Sequence, residues 1–420
     1  MNRGFYTIMA AQFFSSLADN ALLFVAIDVL VRMSAPASLT PLLKLSFVVF
    51  YVLLAAFVGA FADSLPKGRV MFIANLVKIV GCALMFLTVH PLLAYAVVGF
   101  GAAVYSPAKY GILTELLPPE KLVVANGWIE GLTVMSIIFG TVLGGALVSN
   151  AGSSLLLGFD FPLFDTGIDT TSEAAMAVVA FIYVLATLFN LRIPDTGARY
   201  EHQERNPVKL IADFANCSAT LWKDKLGQIS LAVTTLFWGA GATLQLIVLK
   251  WAELTLGMTL DKATGLIGVV ALGVAIGAVL AARMIPLRKS LTVIPMGIFM
   301  GLVVTSMVFV HDVVVAYPLL ALIGFLAGFF VVPMNALLQH RGHVLMSAGH
   351  SIAVQNFNEN LSILTMLALY AIMITMNVDL DIIILVFGLT IAGITYLILL
   401  RHRRNQKQHD SLALIGEHKH

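Results

Sequence analysis

Long apolar stretches separated by short polar breaks run the whole length of the chain. Twelve of them approach twenty residues, the length a helix needs to cross about 30 Å of hydrocarbon. They cover roughly 7–31, 42–62, 70–89, 91–113, 124–148, 175–192, 227–250, 264–284, 291–310, 314–338, 350–376 and 381–400. The breaks at His90-Pro91 and His311-Asp312 are short enough only for tight turns. The first stretch is too long for a cleaved signal and carries Asp19 and Asn20 at its middle, so it is expected to remain as a span. The longest polar break, 193–226, has a weaker pattern: Asn206-Pro207 offers a cap and a first-turn proline. Val208, Ile211, Phe214, Ala215, Leu221 and Trp222 follow near helical spacing. This predicts an amphipathic helix on the inner membrane surface, with Lys209, Lys223 and Lys225 toward the headgroups; a solvated linker is the alternative.

Composition agrees with a membrane protein and excludes other classes. Hydrophobic residues are 59% of the 420, mean hydropathy is +0.93 and only 11% are charged, against about 25% in soluble domains. A net charge of +2 leaves no basic face for nucleic acid. Cys82 and Cys217 provide neither a disulfide framework nor a zinc cluster, and no cofactor is expected. Lys and Arg set the orientation: with the N-terminus inside, nineteen lie on cytoplasmic segments and four outside. The outward loop 149–174 is wholly acidic, with Asp160, Asp165, Asp169 and Glu173. Both termini are therefore expected in the cytoplasm, with 401–420 as a basic tail.

The two halves repeat. Asn126, Glu130, Leu132 and Thr133 of the fifth span align with Gln355, Glu359, Leu361 and Ser362 of the eleventh, at an offset of 229. Gly99-Phe100 and Pro107 of the fourth span match Gly324-Phe325 and Pro333 of the tenth, and Gly59 with Lys67 and Arg69 matches Gly277 with Arg288 and Lys289. Three matches in order predict a duplicated unit: a six-helix bundle over 1–192, a linker over 193–226 and a second bundle over 227–400. This all-α integral membrane design, twelve transmembrane helices in two pseudo-symmetric bundles, resembles the major facilitator superfamily, whose substrate site lies between the halves near the midplane.

Ionisable residues inside spans cost at least about 2.5–3.5 kcal/mol on insertion scales, so each is a functional candidate. Gln12, Ser15, Ser16 and Asp19 share one face of the first span, with Asn20 beside it. That stripe is expected to face a polar cavity. Asp28 falls near the outer boundary and reads as interfacial. Glu130 and Glu359 occupy equivalent positions in the two halves and suit a cationic headgroup, proton uptake or an inner gate; Gln355, Asn356, Asn358 and Asn360 surround the second. Lys78, a turn from Asn75, and Lys109, after Pro107, suit a phosphate or neutralise Asp19 or Glu130. For Lys78 the ion pair is the favoured reading. Trp238 and Gln245 mark the seventh span, where no carboxylate answers Asp19. Gly140, Gly144 and Gly145, with Gly268, Gly273 and Gly277, permit close helix contact.

Gly59-Ala-Phe-Ala-Asp63-Ser-Leu-Pro-Lys67-Gly-Arg69 resembles the superfamily's loop signature between the second and third spans, which implies a cytoplasmic latch formed by Gly59, Asp63, Lys67 and Arg69. Ala11-Gln12-Phe13, Asp19-Asn20-Ala21-Leu22-Leu23-Phe24, Tyr105-Ser-Pro107-Ala-Lys109-Tyr110-Gly111, Phe237-Trp238-Gly239-Ala-Gly241 and Ile352-Ala-Val-Gln355-Asn356 look like the lysophospholipid transporter family. That resemblance implies a flippase-like importer of the Gram-negative inner membrane, working as a monomer. It would carry lysophosphatidylethanolamine and related lipids inward for re-acylation by an acyltransferase–acyl carrier protein synthetase. Twenty residues follow the last span, so that partner is expected to be a separate protein. The resemblance makes Asp19 and Lys109 the leading headgroup residues, one toward the ethanolamine ammonium and the other toward the phosphodiester. The other candidates for substrate contact are Asn20, Lys78, Tyr110, Glu130, Gln245, Gln355, Asn356 and Glu359. A basic residue that the family implies in the seventh span is replaced here by the nearby Gln245.

Two further functions compete. A proton-coupled exporter of amphipathic drugs would use Asp19, Glu130 or Glu359 as proton carrier. A membrane acyltransferase would need a His-x4-Asp cluster at the surface, and neither His340, His343 nor His350 has one, so no enzyme is expected.

Overall fold

A computed structural model describes residues 3–36, 39–149, 154, 157, 170–200, 204, 206–258, 260–408 and 415. Asp160, Asp165, Asp169, Arg205 and Lys419, used above to orient the chain, lie outside them. The regular elements among the described residues are helices, as expected where hydrocarbon offers backbone groups no partner. Among the described residues fourteen α-helices follow in order: α1 Arg3–Arg32, α2 Leu39–Leu53, α3 Ala55–Ser64, α4 Lys67–Phe86, α5 Pro91–Leu116, α6 Leu122–Val148, α7 Thr171–Leu191, α8 Pro207–Lys223, α9 Gly227–Leu254, α10 Leu260–Met284, α11 Ile294–Thr305, α12 Val313–Leu345, α13 Ala348–Thr375 and α14 Leu380–Gln408. Among the described residues eleven spans are long and apolar enough to cross a membrane, and α2 with α3, bent by 68°, makes a twelfth. This is the twelve-span architecture read from the sequence. The second span differs from the single run expected over 42–62: it breaks at Leu54, whose φ of −100° and ψ of 2° leave the helical region.

Local chemistry sets the ends. Thr170 accepts from the Glu173 amide and Glu173 returns the bond to the Thr170 amide at 2.8 Å, a capping box that starts α7. Asp312 caps α12 by accepting from the Val314 amide at 2.8 Å, and Ser347 caps α13. Thr88 and Asn377, with φ of 64° and 54°, carry the chain out of α4 and α13 in the left-handed conformation that ends helices.

Packing divides the chain into two compact units, Met1–Ile112 with Met135–Leu210, and Leu113–Val134 with Ile211–His420. The N-terminal part of α6 thus packs with the C-terminal helices, and the segment 193–226 is divided at Leu210. In the first unit, Leu22, Val25, Cys82, Tyr95, Val98, Val179 and Tyr183 form part of one core. Gly140 and Gly144 of α6 lie against the Leu17 and Ala21 carbonyls of α1. In the second unit, Ile247, Trp251, Leu320, Ile323, Ile383 and Ile384 form another core. Here α10 and α12 meet backbone to backbone: a Cβ added at Gly273, Gly277, Gly324 or Gly328 would strike a carbonyl of the facing helix. Gly145 and Gly268, expected to serve in the same way, have nothing within 4 Å of such a Cβ.

The expected amphipathic helix is α8. Leu221 is buried, the Phe214 ring meets Phe357 edge-on at 5.4 Å, and Trp222 Nε1 donates to Asn358 at 3.3 Å. That end docks on α13, while Val208 and Ile211 remain exposed.

Candidate lipid headgroup site

The polar stripe of α1 meets the one polar face of α4. Asp19 Oδ2 accepts from Lys78 Nζ at 2.7 Å, and Asp19 Oδ1 accepts from the Tyr183 hydroxyl at 2.7 Å. Lys78 also donates to Ser15 Oγ at 3.0 Å, and the Ser15 hydroxyl donates to Asn75 Oδ1 at 2.8 Å. The Tyr95 hydroxyl donates to the Asp19 carbonyl at 3.3 Å. The stripe therefore faces protein partners as well as space: the Asp19 side chain keeps 15% of its surface while that of Lys78 keeps 2%. The absence of a side chain at Gly101 lets α4 lie this close, because a Cβ there would strike Lys78 Cγ and the Ala74 carbonyl. A buried pair of this kind repays its desolvation only when its remaining lone pairs and protons are satisfied. Tyr183 and Ser15 supply part of that satisfaction. Asp28, read as interfacial, pairs with Arg32 at 2.6 Å and accepts from Ser172 at 2.8 Å.

Lys109 and Tyr110 are half-buried on α5, with the Lys109 ammonium 4.2 Å from the centre of the Tyr110 ring. The described contacts join Asp19 to Lys78. Asn20 turns back on its own helix, donating to the Ser16 carbonyl at 2.7 Å.

In the second unit the paired glutamates are linked through amides. Asn335 Nδ2 donates to Glu130 at 3.3 Å, Gln355 Nε2 donates to Asn335 Oδ1 at 3.0 Å, and the same Gln355 amide donates to Glu359 at 2.7 Å. All four residues are buried. One turn inward, Asn126 and Gln339 exchange reciprocal bonds of 2.8 and 2.9 Å. Asn356 is buried alongside, its carbonyl accepting from Asn360 at 2.8 Å, and Gln245 is half-buried on α9.

At the loop signature, Asp63 and Lys67 pair at 2.5 Å with both side chains enclosed, and Lys67 also donates to the Ala62 carbonyl. Gly59 is buried on the same helix as Asp63, whereas Arg69 is exposed and lines a cleft of about 210 Å³ with Asn190, Pro194 and Asp195. The Arg199 guanidinium and the Gly197 amide, both donating to Asp195, hold that carboxyl down at about 2.

A family model described as Major Facilitator Superfamily matches residues 8–366. The lysophospholipid transporter LplT of Yersinia enterocolitica is 40% identical over 90% of this chain and 89% of its own length. That of Yersinia pestis is 39% identical over 90% and 88%. This chain belongs to the lysophospholipid transporter family of the major facilitator superfamily. Solved transporters share its fold alone. The outward conformation of the major facilitator transporter FucP superposes with a TM-score of 0.71 at 13% identity, covering 96% of this chain and 98% of that one. A bacterial homologue of the iron transporter ferroportin gives 0.69 at 14% identity, covering 97% and 100%.

Several residues of this superfamily member escaped the sequence reading. Tyr183 sits in an apolar run whose hydropathy a tyrosine hardly lowers. Asn335 and Gln339 carried a usable signal, two amides one turn apart in an otherwise apolar helix. Asp224 had none: Arg341 donates to it through Nε and Nη2, and it also caps α9 through the Gly227 amide at 2.7 Å.

Proposed function

We propose that the protein is a lysophospholipid importer of the bacterial inner membrane. It moves lysophosphatidylethanolamine and related lipids from the outer to the inner leaflet by alternating access, with both termini cytoplasmic. It performs no chemistry and needs no ion gradient, and a separate acyltransferase–acyl carrier protein synthetase restores the acyl chain inside. It works as a monomer. The observation that carries this reading is the 40% identity to a curated lysophospholipid transporter over 90% of the chain. The partly open carboxylate of Asp19, at the edge of a buried polar cluster, supports it, because an ammonium headgroup is what such a group recognises. Asn20, Lys78, Lys109 and Tyr110 are proposed as further headgroup contacts, and Gln245, Gln355, Asn356, Glu130 and Glu359 as contacts along the rest of the path. Gly59, Asp63, Lys67 and Arg69 form the proposed latch.

The deciding experiment is uptake of labelled lysophosphatidylethanolamine into spheroplasts, with wild type and Asp19→Asn at equal expression, each with and without a protonophore. Uptake by wild type that resists the protonophore and is abolished by Asp19→Asn is the expected result. Uptake that collapses with the proton gradient would favour a proton-coupled carrier, for which the Glu130–Asn335–Gln355–Glu359 chain is the natural seat.

A further inference from the structure

Beside the Lys78 ammonium two buried donors lack an acceptor. Asn75, one turn before Lys78 on α4 and fully buried, commits its Oδ1 to Ser15, and its Nδ2 has no partner among the described residues. Tyr105 on α5 is 4% exposed, its ring centre lies 5.0 Å from Lys78 Nζ, and its hydroxyl has no partner there either. Leaving a buried polar group unpaired forfeits its hydration without replacing it. Two such donors beside a cation are the chemistry that an oxygen-rich anion would satisfy. The other end of the pair differs. Asp19 is its accessible member, and Tyr183 holds one carboxylate oxygen, so the second oxygen is shared only with Lys78 among the described contacts. The resting site is thus a cation with spare donors next to a carboxylate with one exchangeable partner.

We propose that the substrate opens this ion pair by exchange, and that Lys78, Asn75 and Tyr105 determine specificity for the phosphate. The ammonium of a zwitterionic headgroup takes the place of Lys78 on Asp19 Oδ2, while Tyr183 keeps Oδ1. The Lys78 ammonium, Asn75 Nδ2 and the Tyr105 hydroxyl receive the phosphodiester. This rests on the lysophospholipid reading and extends it. Self-pairing keeps the empty site free of a naked buried charge, which would be strongly unfavourable. The exchange moves no net charge into the membrane, since pair and headgroup are each neutral. A headgroup with the phosphate alone leaves Asp19 to compete for Lys78, and one with the ammonium alone leaves the two donors unanswered.

Asn75→Ala and Tyr105→Phe remove one donor each and leave both side chains of the Asp19–Lys78 pair in place; the first also takes the acceptor from the Ser15 hydroxyl, and the second keeps the ring beside Lys78. The test compares them with wild type in proteoliposomes, measuring uptake of lysophosphatidylethanolamine and of lysophosphatidylglycerol, and inhibition of the first by submicellar dodecylammonium. A hydrogen bond to a charged group carries about a tenfold effect. Each variant is therefore expected to raise KM about tenfold for both lipids, which share the phosphate, and to leave inhibition by dodecylammonium, which has none, at the wild-type value. Wild-type KM in both variants would overturn the exchange, as would a loss of dodecylammonium inhibition parallel to the loss of uptake, which marks general damage. A wild type that imports neither lipid would remove the functional reading and the exchange together, whereas an active wild type with indifferent variants removes only the exchange.

Discussion

At the scale of single residues, the molecule turns on one buried ion pair. Lys78 keeps 2% of its side-chain surface, so whatever removes its counter-charge leaves a cation in a place water does not reach. Breaking a buried pair from one side costs about 3–5 kcal/mol, while replacing both partners by apolar groups is often neutral. Asp19→Asn is therefore expected to lower the thermal unfolding midpoint in detergent. Asp19→Asn combined with Lys78→Met should regain most of that loss and still import no lysophospholipid. A single variant as stable as wild type would mean that Lys78 finds another partner. The pair itself was half visible in the sequence, because ionisable residues in apolar runs announce themselves. The sequence favours Lys78 as an ion-pair partner of Asp19 or Glu130, and the structure joins it to Asp19, with Tyr183 as the second support. That tyrosine went unread because an aromatic hydroxyl leaves a span as apolar as its neighbours.

At the scale of elements, glycine decides how closely helices approach. Hydrocarbon gives no hydrophobic drive for one helix to prefer another over lipid, so close van der Waals packing carries the association. Along α10 and α12 the facing glycines put each backbone against the other's carbonyls. Gly328→Val must push α12 off the Val274 carbonyl, and overpacking of this kind costs about 1–3 kcal/mol. The variant should unfold at lower temperature than wild type, whereas Gly268→Ala, with open space around it, should unfold where wild type does. Equal midpoints for the two would contradict a packing role for this contact. Composition picked out the right class of residue but not every position: Gly273, Gly277, Gly140 and Gly144 face a helix and Gly145 and Gly268 do not. Hydropathy is blind to which side of a helix meets protein when both sides are apolar. The same blindness hid the 68° break at Leu54, which lies in an unbroken apolar run without proline or glycine at the bend.

At the scale of the whole molecule, the number of spans and their repeat were legible because each span is a separate composition signal and the repeat is a register of polar residues. The grouping of Leu113–Val134 with the C-terminal helices was not, since it depends on contacts such as Asn126 with Gln339 that link residues far apart in the chain. Orientation is a global property of another kind, set by where cations fall. With the N-terminus inside, nineteen Lys and Arg lie on the cytoplasmic segments against four outside. Asp160, Asp165, Asp169 and Glu173 are the charges of the segment 149–174, which that orientation would place outside. Cations near span ends resist translocation while carboxylates contribute little, so the excess supports the proposed cytoplasmic termini, which need an even number of crossings. A fluorescent protein fused at the C-terminus should therefore glow, because it folds on the cytoplasmic side, and alkaline phosphatase inserted between residues 149 and 170 should be active outside. Exchanging the two reporters should silence both. An active phosphatase at the C-terminus would require an odd number of crossings, and the bent α2–α3 pair would then have to enter and leave the membrane on the same side, because it alone among the described spans is not a single continuous helix or a helix extended by 3-10 turns.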